Sequence, residues 1–322
     1  MRFVNKKTTE LSVLEKEEIC TCYAEVFEGH VKPLLDFDSQ YLNTCLGYSF
    51  HTLLTTDEDE IVGQYVVVPF KYFYKGQNML FSFGADFMIR KDHRNDFKNV
   101  MGLCGESLKY SKANGVKCIF AFPNDLSYLL NLRVLRMKEV GKLHTYILPY
   151  KVGDAKPALT RLNIFSKLFC VMMLWLSKFD GRSQHSETLI HRDRSSFNDT
   201  RYKWFNPEEY KLVEEKDFTC SWKCTDFDGV KAAFLMDVYP LSAKNFNRAV
   251  RKMFDAEKNN VGIFLYVGEL SFNPISMIKI PLKYAPKNFN FVAQILDRKE
   301  VSADDVFNIN NWDVNLSSYD LL

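Results

Sequence analysis

Two kinds of chemistry are legible between Phe83 and Tyr128. The first is anion binding: Arg90, Lys91, His93, Arg94 and Lys98 gather where an apolar strand gives way to a helix. A helix start already favours negative charge, so cations there would hold a phosphate, with Arg94 and Lys98 the side chains best placed to do so. The competing reading is a solvated basic turn. The second is proton transfer. Asp86 stands among Phe83, Phe87 and Ile89, and a carboxylate in an apolar setting can serve as a general base. On the period-two pattern of a strand it could equally face solvent. Tyr128 carries a phenol on the helix after the Asn124 turn, and its plain reading is a packed ring whose hydroxyl reaches water.

Other reactive residues show no such pattern. The eight cysteines are scattered, Cys220 and Cys224 have the wrong gap for a redox pair, and no close histidine pair accompanies them, which argues against zinc and for free thiols. His51, His144, His185 and His191 show no triad or metal spacing. No GxSxG, GxGxxG or Walker loop is present, which removes serine hydrolases, dinucleotide enzymes and P-loop enzymes.

The elements that must position these residues follow from periodicity. Ser12 and Glu15 form a capping box before a helix that starts near residue 13, and a short helix is expected after Asp38. Phe50 to Thr55, Ile61 to Phe70 and Met79 to Ile89 read as three strands. Phe97, Val100, Met101, Cys104 and Leu108 recur at helical steps after an Asn95 or Asp96 cap, and Asn114-Gly115 ends that helix. Val116 to Phe122 is then a buried strand, and a right-handed crossover makes it parallel to the one before. Asn124 would cap the next helix. Thr219 to Thr225, Val230 to Tyr239, a helix capped by Ser242 and Val261 to Val267 repeat the order strand, strand, helix, strand. Phe289 to Leu296 and Trp312 to Leu316 would complete a second sheet.

With 322 residues, 47% of them hydrophobic, the chain can fill two cores, and we expect a domain at 1–150, a linker with an apolar helix at 151–200 and a second domain at 201–322. A net charge of +2 offers no broad basic field, so no nucleic-acid partner is expected. The start MRFVNKKTTE carries no apolar signal segment, which points to the cytoplasm. The apolar run 162–176 is read as too short to cross a bilayer, with no transmembrane segment expected. Ile164, Leu168, Met172 and Trp175 would pack it between domains; the alternative is a helix lying on a membrane surface.

Residues 61–70 (IVGQYVVVPF), 81–94 (FSFGADFMIRKDHR), 121–128 (AFPNDLSY) and 137–149 (MKEVGKLHTYILP) together resemble the GNAT superfamily of acyl-CoA N-acyltransferases. The segments RYKWFNPEEY and NNWDVNLSSYDLL extend the likeness to bacterial two-domain members of the kind found at surface-polysaccharide loci. The resemblance implies an α/β fold with tandem GNAT-like domains around mixed sheets. It implies an N-acetyltransferase using acetyl-CoA or another acyl-CoA on a small-molecule amine or amino sugar, as monomer or homodimer, with no resident metal. Asp86 and Tyr128 become the catalytic candidates. Arg94, Phe97, Lys98 and Asn99 fall in the pyrophosphate loop, where Phe97 and Asn99 replace the glycines that let backbone amides approach phosphates. The rival implication is a GNAT-fold binding or scaffolding protein without acyl-CoA catalysis.

Overall fold

The computed structural model describes residues 1–184, 188–195, 197–203, 209–227, 229–285 and 287–318, which leaves His185, residues 204–208 and the end of the chain outside the described set. The chain begins with β1 (Arg2–Lys7), α1 (Val13–Val26), α2 (Leu34–Leu42), β2 (Phe50–Thr55), β3 (Ile61–Tyr74) and β4 (Gln77–Ile89). It continues with α3 (Phe97–Ala113), β5 (Val116–Ala121), α4 (Asp125–Arg133), β6 (Lys138–Lys142), β7 (His144–Pro149), α5 (Val152–Ala155) and α6 (Asn163–Leu176). Then come β8 (Ile190–Arg192), α7 (Phe197–Arg201), β9 (Tyr210–Glu214), β10 (Thr219–Phe227), β11 (Val230–Tyr239), α8 (Ala243–Glu257), β12 (Ile263–Gly268), β13 (Ile278–Lys279), β14 (Asn290–Ile295) and α9 (Ala303–Val306).

Local chemistry sets the helix ends. Ser12 accepts from the Glu15 amide while the Glu15 carboxylate takes the Ser12 amide, so the capping box opens α1. α2 starts at Leu34, earlier than expected, because Pro33 supplies a fixed backbone angle suited to a helix entrance. Asp96 caps α3, Asn124 caps α4 and Ser242 caps α8, each through its side-chain oxygen. Gly115, at φ 86°, takes the left-handed turn that returns the chain from α3 into β5.

Two mixed sheets result. Among the described residues the first has eight strands in the order β1-β2-β3-β4-β5-β14-β6, with β8 against β3, and the second has six, ordered β13-β7-β12-β11-β10-β9. α3 packs Val100, Leu103 and Cys104 onto Phe50, Val67 and Ile119 of the first sheet. α8 packs Phe246, Ala249, Val250 and Met253 onto Tyr146, Ala233 and Phe264 of the second. Fully burying each large apolar chain stabilises by about 1.5–3 kcal/mol. The expected repeat is present, as β3-β4-α3-β5 and β10-β11-α8-β12.

The sheets do not follow the expected consecutive division. β7, read with the first domain, pairs antiparallel with β12 in the second sheet. β14, read as part of the second sheet, pairs with β5 in the first, matching Val292 to Ala121 and Ile295 to Cys118. Trp312 to Leu316 forms no strand, only isolated bridges at Trp312 and Asn315. Two discontinuous units follow: Met1–Gly141 with Leu189–Pro207 and Asn290–Trp312, and Lys142–Thr188 with Glu208–Phe289 and Asp313–Leu322. Periodicity marks a strand but not its partner, and β5 has a second edge that some strand must cover. Phe291 and Trp312 also complete an aromatic cluster, with Phe291 stacked on Phe122 at 4.9 Å and Trp312 at 6.0 Å from Phe120.

The apolar helix also departs from expectation. Its helical run extends from Pro157 to Phe179, 23 residues, long and apolar enough to cross a membrane by length and composition, and so is not too short to do so. The stripe expected to be packed is exposed, with Ile164 at 76%, Leu168 at 68% and Trp175 at 54%.

Candidate functional site

In the first unit the parallel pairing of β4 with β5 runs from Leu80 opposite Val116 to Phe83 opposite Phe120, and stops. β4 continues to Ile89. β5 itself ends at Ala121, and β4 bulges just beyond that point. On the other side of β4, Val66 faces Ala85 but Gln64 faces Met88, so Asp86 and Phe87 together oppose Tyr65. A bulge bends its strand and breaks the ladder. Asp86 absorbs the bend at φ 44°, a left-handed conformation that aspartate tolerates better than most residues. Residues 84–89 therefore have no partner on the β5 side of β4.

The Asp86 side chain is not set in apolar surroundings, as its sequence neighbours suggest, but in a polar cage. Its Oδ2 accepts from the Lys32 ammonium and from the Tyr41 hydroxyl. Lys32 Nζ also donates to Gln40 Oε1 at 2.9 Å and to Tyr41 OH at 3.1 Å. The rings of Tyr23 and Tyr41 lie 4.4 and 5.0 Å from the same nitrogen. Three acceptors match the three N–H bonds of an ammonium, and two ring faces add cation–π attraction. Lys32, Gln40 and Tyr41 are buried, and the Asp86 side chain retains 17% exposure. Burial, then the Asp86 charge, pushes the Tyr23 phenol up to about 12 and raises that of Tyr41 further. Both phenols stay protonated. Behind Tyr41, His51 is fully buried and bonded to Thr8 at 3.0 Å and Gln64 at 3.3 Å; burial holds its imidazole down to about 4. Lys32, Gln40 and Tyr41 carried no sequence signal beyond a polar pair on the amphipathic α2.

The basic turn is built differently from a phosphate cradle. The amides of His93 and Arg94 donate to Arg90 O, and those of Asn99 and Val100 to Asp96 O. The Asp96 carboxylate accepts from the Lys98 amide at 2.9 Å, placing a negative charge where an anion would sit. Asn99 is buried with its side-chain Nδ2 donating to His93 O, so it staples the turn instead of facing a ligand. Phe97 points outward at 63% exposure. Arg94 and Lys98 remain exposed cations beside this start. A coenzyme A pyrophosphate held by backbone amides does not fit here.

The second unit repeats the break in pairing beside a bulge. β11 and β12 pair from Ala232 opposite Ile263 to Leu235 opposite Tyr266, then part where Met236 bulges. Asn315 bridges Gly268 and donates to Asp237 Oδ1 at 3.0 Å, while the Glu269 amide bonds Val314 O. At the start of α8, Ser242 takes the Asn245 amide and Arg182 O takes that of Lys244 at 3.0 Å. This helix start does not fit a pyrophosphate either.

Tyr128 lies apart from Asp86. Phe50 packs into the α3 core while His51, its neighbour on β2, meets Tyr41 of α2, so α2 and α3 cover opposite faces of the sheet. Asp86 is bonded on the α2 face, whereas Tyr128 packs on the α3 side and donates to the Glu139 carboxylate. That bond, more than burial, pushes the Tyr128 phenol up to about 12. The two catalytic candidates are not brought together.

Solved structures share this architecture. A probable N-acyltransferase of Enterococcus faecalis V583, described as a conserved protein of unknown function, is similar over 92% of this chain and 73% of its own, at 10% identity and a TM-score of 0.57. The GCN5-related N-acetyltransferases of Anabaena variabilis ATCC 29413 and Kribbella flavida are also 10% identical over 92% of this chain, covering 73% and 72% of theirs at TM-scores of 0.55 and 0.58. The fold is that of the GCN5-related N-acetyltransferases. It occurs here as two GNAT-like units. No protein-family model matches the chain, and no curated protein matches it.

Proposed function

We propose that the protein is a GNAT-type N-acyltransferase whose acceptor is a primary amine, received at the bulge of β4, on a sugar or surface-polymer precursor. One observation carries the reading: Lys32 shows an ammonium already held by Asp86, Gln40, Tyr41 and two tyrosine rings at the bulge of β4. An acceptor amine would take the place of the Lys32 head group, which sits on the connection between α1 and α2. Asp86 would accept its proton and leave a neutral nucleophile, a contribution of roughly 10²–10⁴ in rate for a positioned base. The sugar or polymer class rests on the sequence resemblance. Neither helix start fits the pyrophosphate of coenzyme A.

A second reading is favoured by those same self-capped helix starts: a GNAT-fold protein that binds an amine without acyl transfer. The test is incubation with acetyl-CoA and a panel of amino sugars, followed by mass spectrometry of the products. The first reading predicts an acetylated amine with the wild type and at least a roughly hundredfold loss in Asp86→Asn. Amine retention without any product supports the second reading.

A further inference from the structure

We propose that the outward face of α6 docks onto an anionic lipid bilayer, with the helix lying flat on it. The helix is built inside out. At about 100° per residue, Asn163, Ser166, Cys170, Leu174 and Ser177 share the inward stripe, and three of the five are polar. They are fixed there: Asn163 Oδ1 takes the Gly153 amide at 2.8 Å, Ser166 donates to Pro149 O, and Ser177 Oγ takes Arg251 Nη1 at 2.7 Å. Cys170 and Leu174 reach the core of the second unit.

The opposite arc carries Ile164, Phe165, Leu168, Val171, Met172 and Trp175, exposed from 49% to 76%, and Phe179 beyond them at 70%. So large a contiguous apolar face on a globular unit marks an interaction surface. Its charge selects the occupant. From Pro157 to Phe179 every ionisable side chain apart from Cys170 is basic, namely Arg161, Lys167 and Lys178, and the two lysines fall along one edge of the apolar arc. An apolar face with a cationic edge matches acyl chains beneath anionic headgroups, and Trp175 packed edge-on against Phe179 at 5.0 Å suits the interfacial zone. The length would allow a crossing, but the inward hydrogen bonds hold the helix to its unit. Crossing would carry Asn163, Ser166, Lys167 and Ser177 into hydrocarbon.

The test is sedimentation of the full chain with vesicles of phosphatidylglycerol and phosphatidylcholine, compared with phosphatidylcholine alone. We expect binding to the anionic vesicles that weakens as salt rises. Leu168→Asp should lower binding at least roughly tenfold while leaving the melting temperature unchanged, because the side chain is exposed. Replacing Lys167 and Lys178 together by glutamine should weaken it about thirtyfold. No sedimentation with anionic vesicles overturns the proposal. So does a dimer, seen by light scattering without vesicles, that Leu168→Asp dissociates while lipid binding is absent.

Discussion

At the residue scale, Asp86 was visible in the sequence and its partners were not. The strand pattern placed a carboxylate among aromatic residues, but the bulge turns it toward Lys32, which precedes Asp86 by more than fifty positions and acts through a distant loop. Removing one member of a buried ion pair leaves the other uncompensated. Asp86→Asn should therefore lower stability by about 3 kcal/mol in urea denaturation, and adding Lys32→Met should restore part of the loss. A second prediction concerns His51. Its folded-state value of about 4 lies below the ordinary 6.5, so below pH 6.5 the unfolded chain binds a proton that the folded chain refuses. Stability should be full above pH 6.5 and fall by about 3 kcal/mol as pH drops toward 4. Denaturation midpoints across that range would show the slope, and His51→Gln should flatten it.

At the element scale, helices and strands were largely legible because capping boxes, a stop glycine and apolar stripes are local signals. What a helix start binds was legible only in part. The sequence shows cations around α3, yet the same turn carries Asp96, whose carboxylate takes the amide that an anion would need. Asp96→Asn keeps a cap of similar strength while removing that charge. Calorimetry with inorganic pyrophosphate should then show roughly two- to fivefold tighter binding than the wild type. Unchanged affinity would mean that anions do not meet this helix. The bulge in β4 had no sequence mark, since an extra residue leaves the apolar character of the strand intact.

At the scale of the whole molecule, the tandem repeat could be read from element order, whereas the exchange of β7 and β14 between sheets could not. Strand pairing is decided by edges that meet only after folding. A fragment of residues 1–150 would leave β5 without β14 and lose Phe291 and Trp312 from the aromatic cluster. It should show no cooperative thermal transition by circular dichroism, and a sharp melt would mean that the first unit needs only its amino-terminal segment. The central claim, that the first unit carries an amine site at β4, is tested most directly by emptying it. Lys32→Ala removes the resident ammonium, and calorimetric titration with n-butylammonium should then show binding at about 1 mM or tighter, with none in Lys32→Ala/Asp86→Asn. A folded Lys32→Ala protein that takes up no amine even at about 10 mM would make Lys32 and Asp86 a structural ion pair and contradict the account.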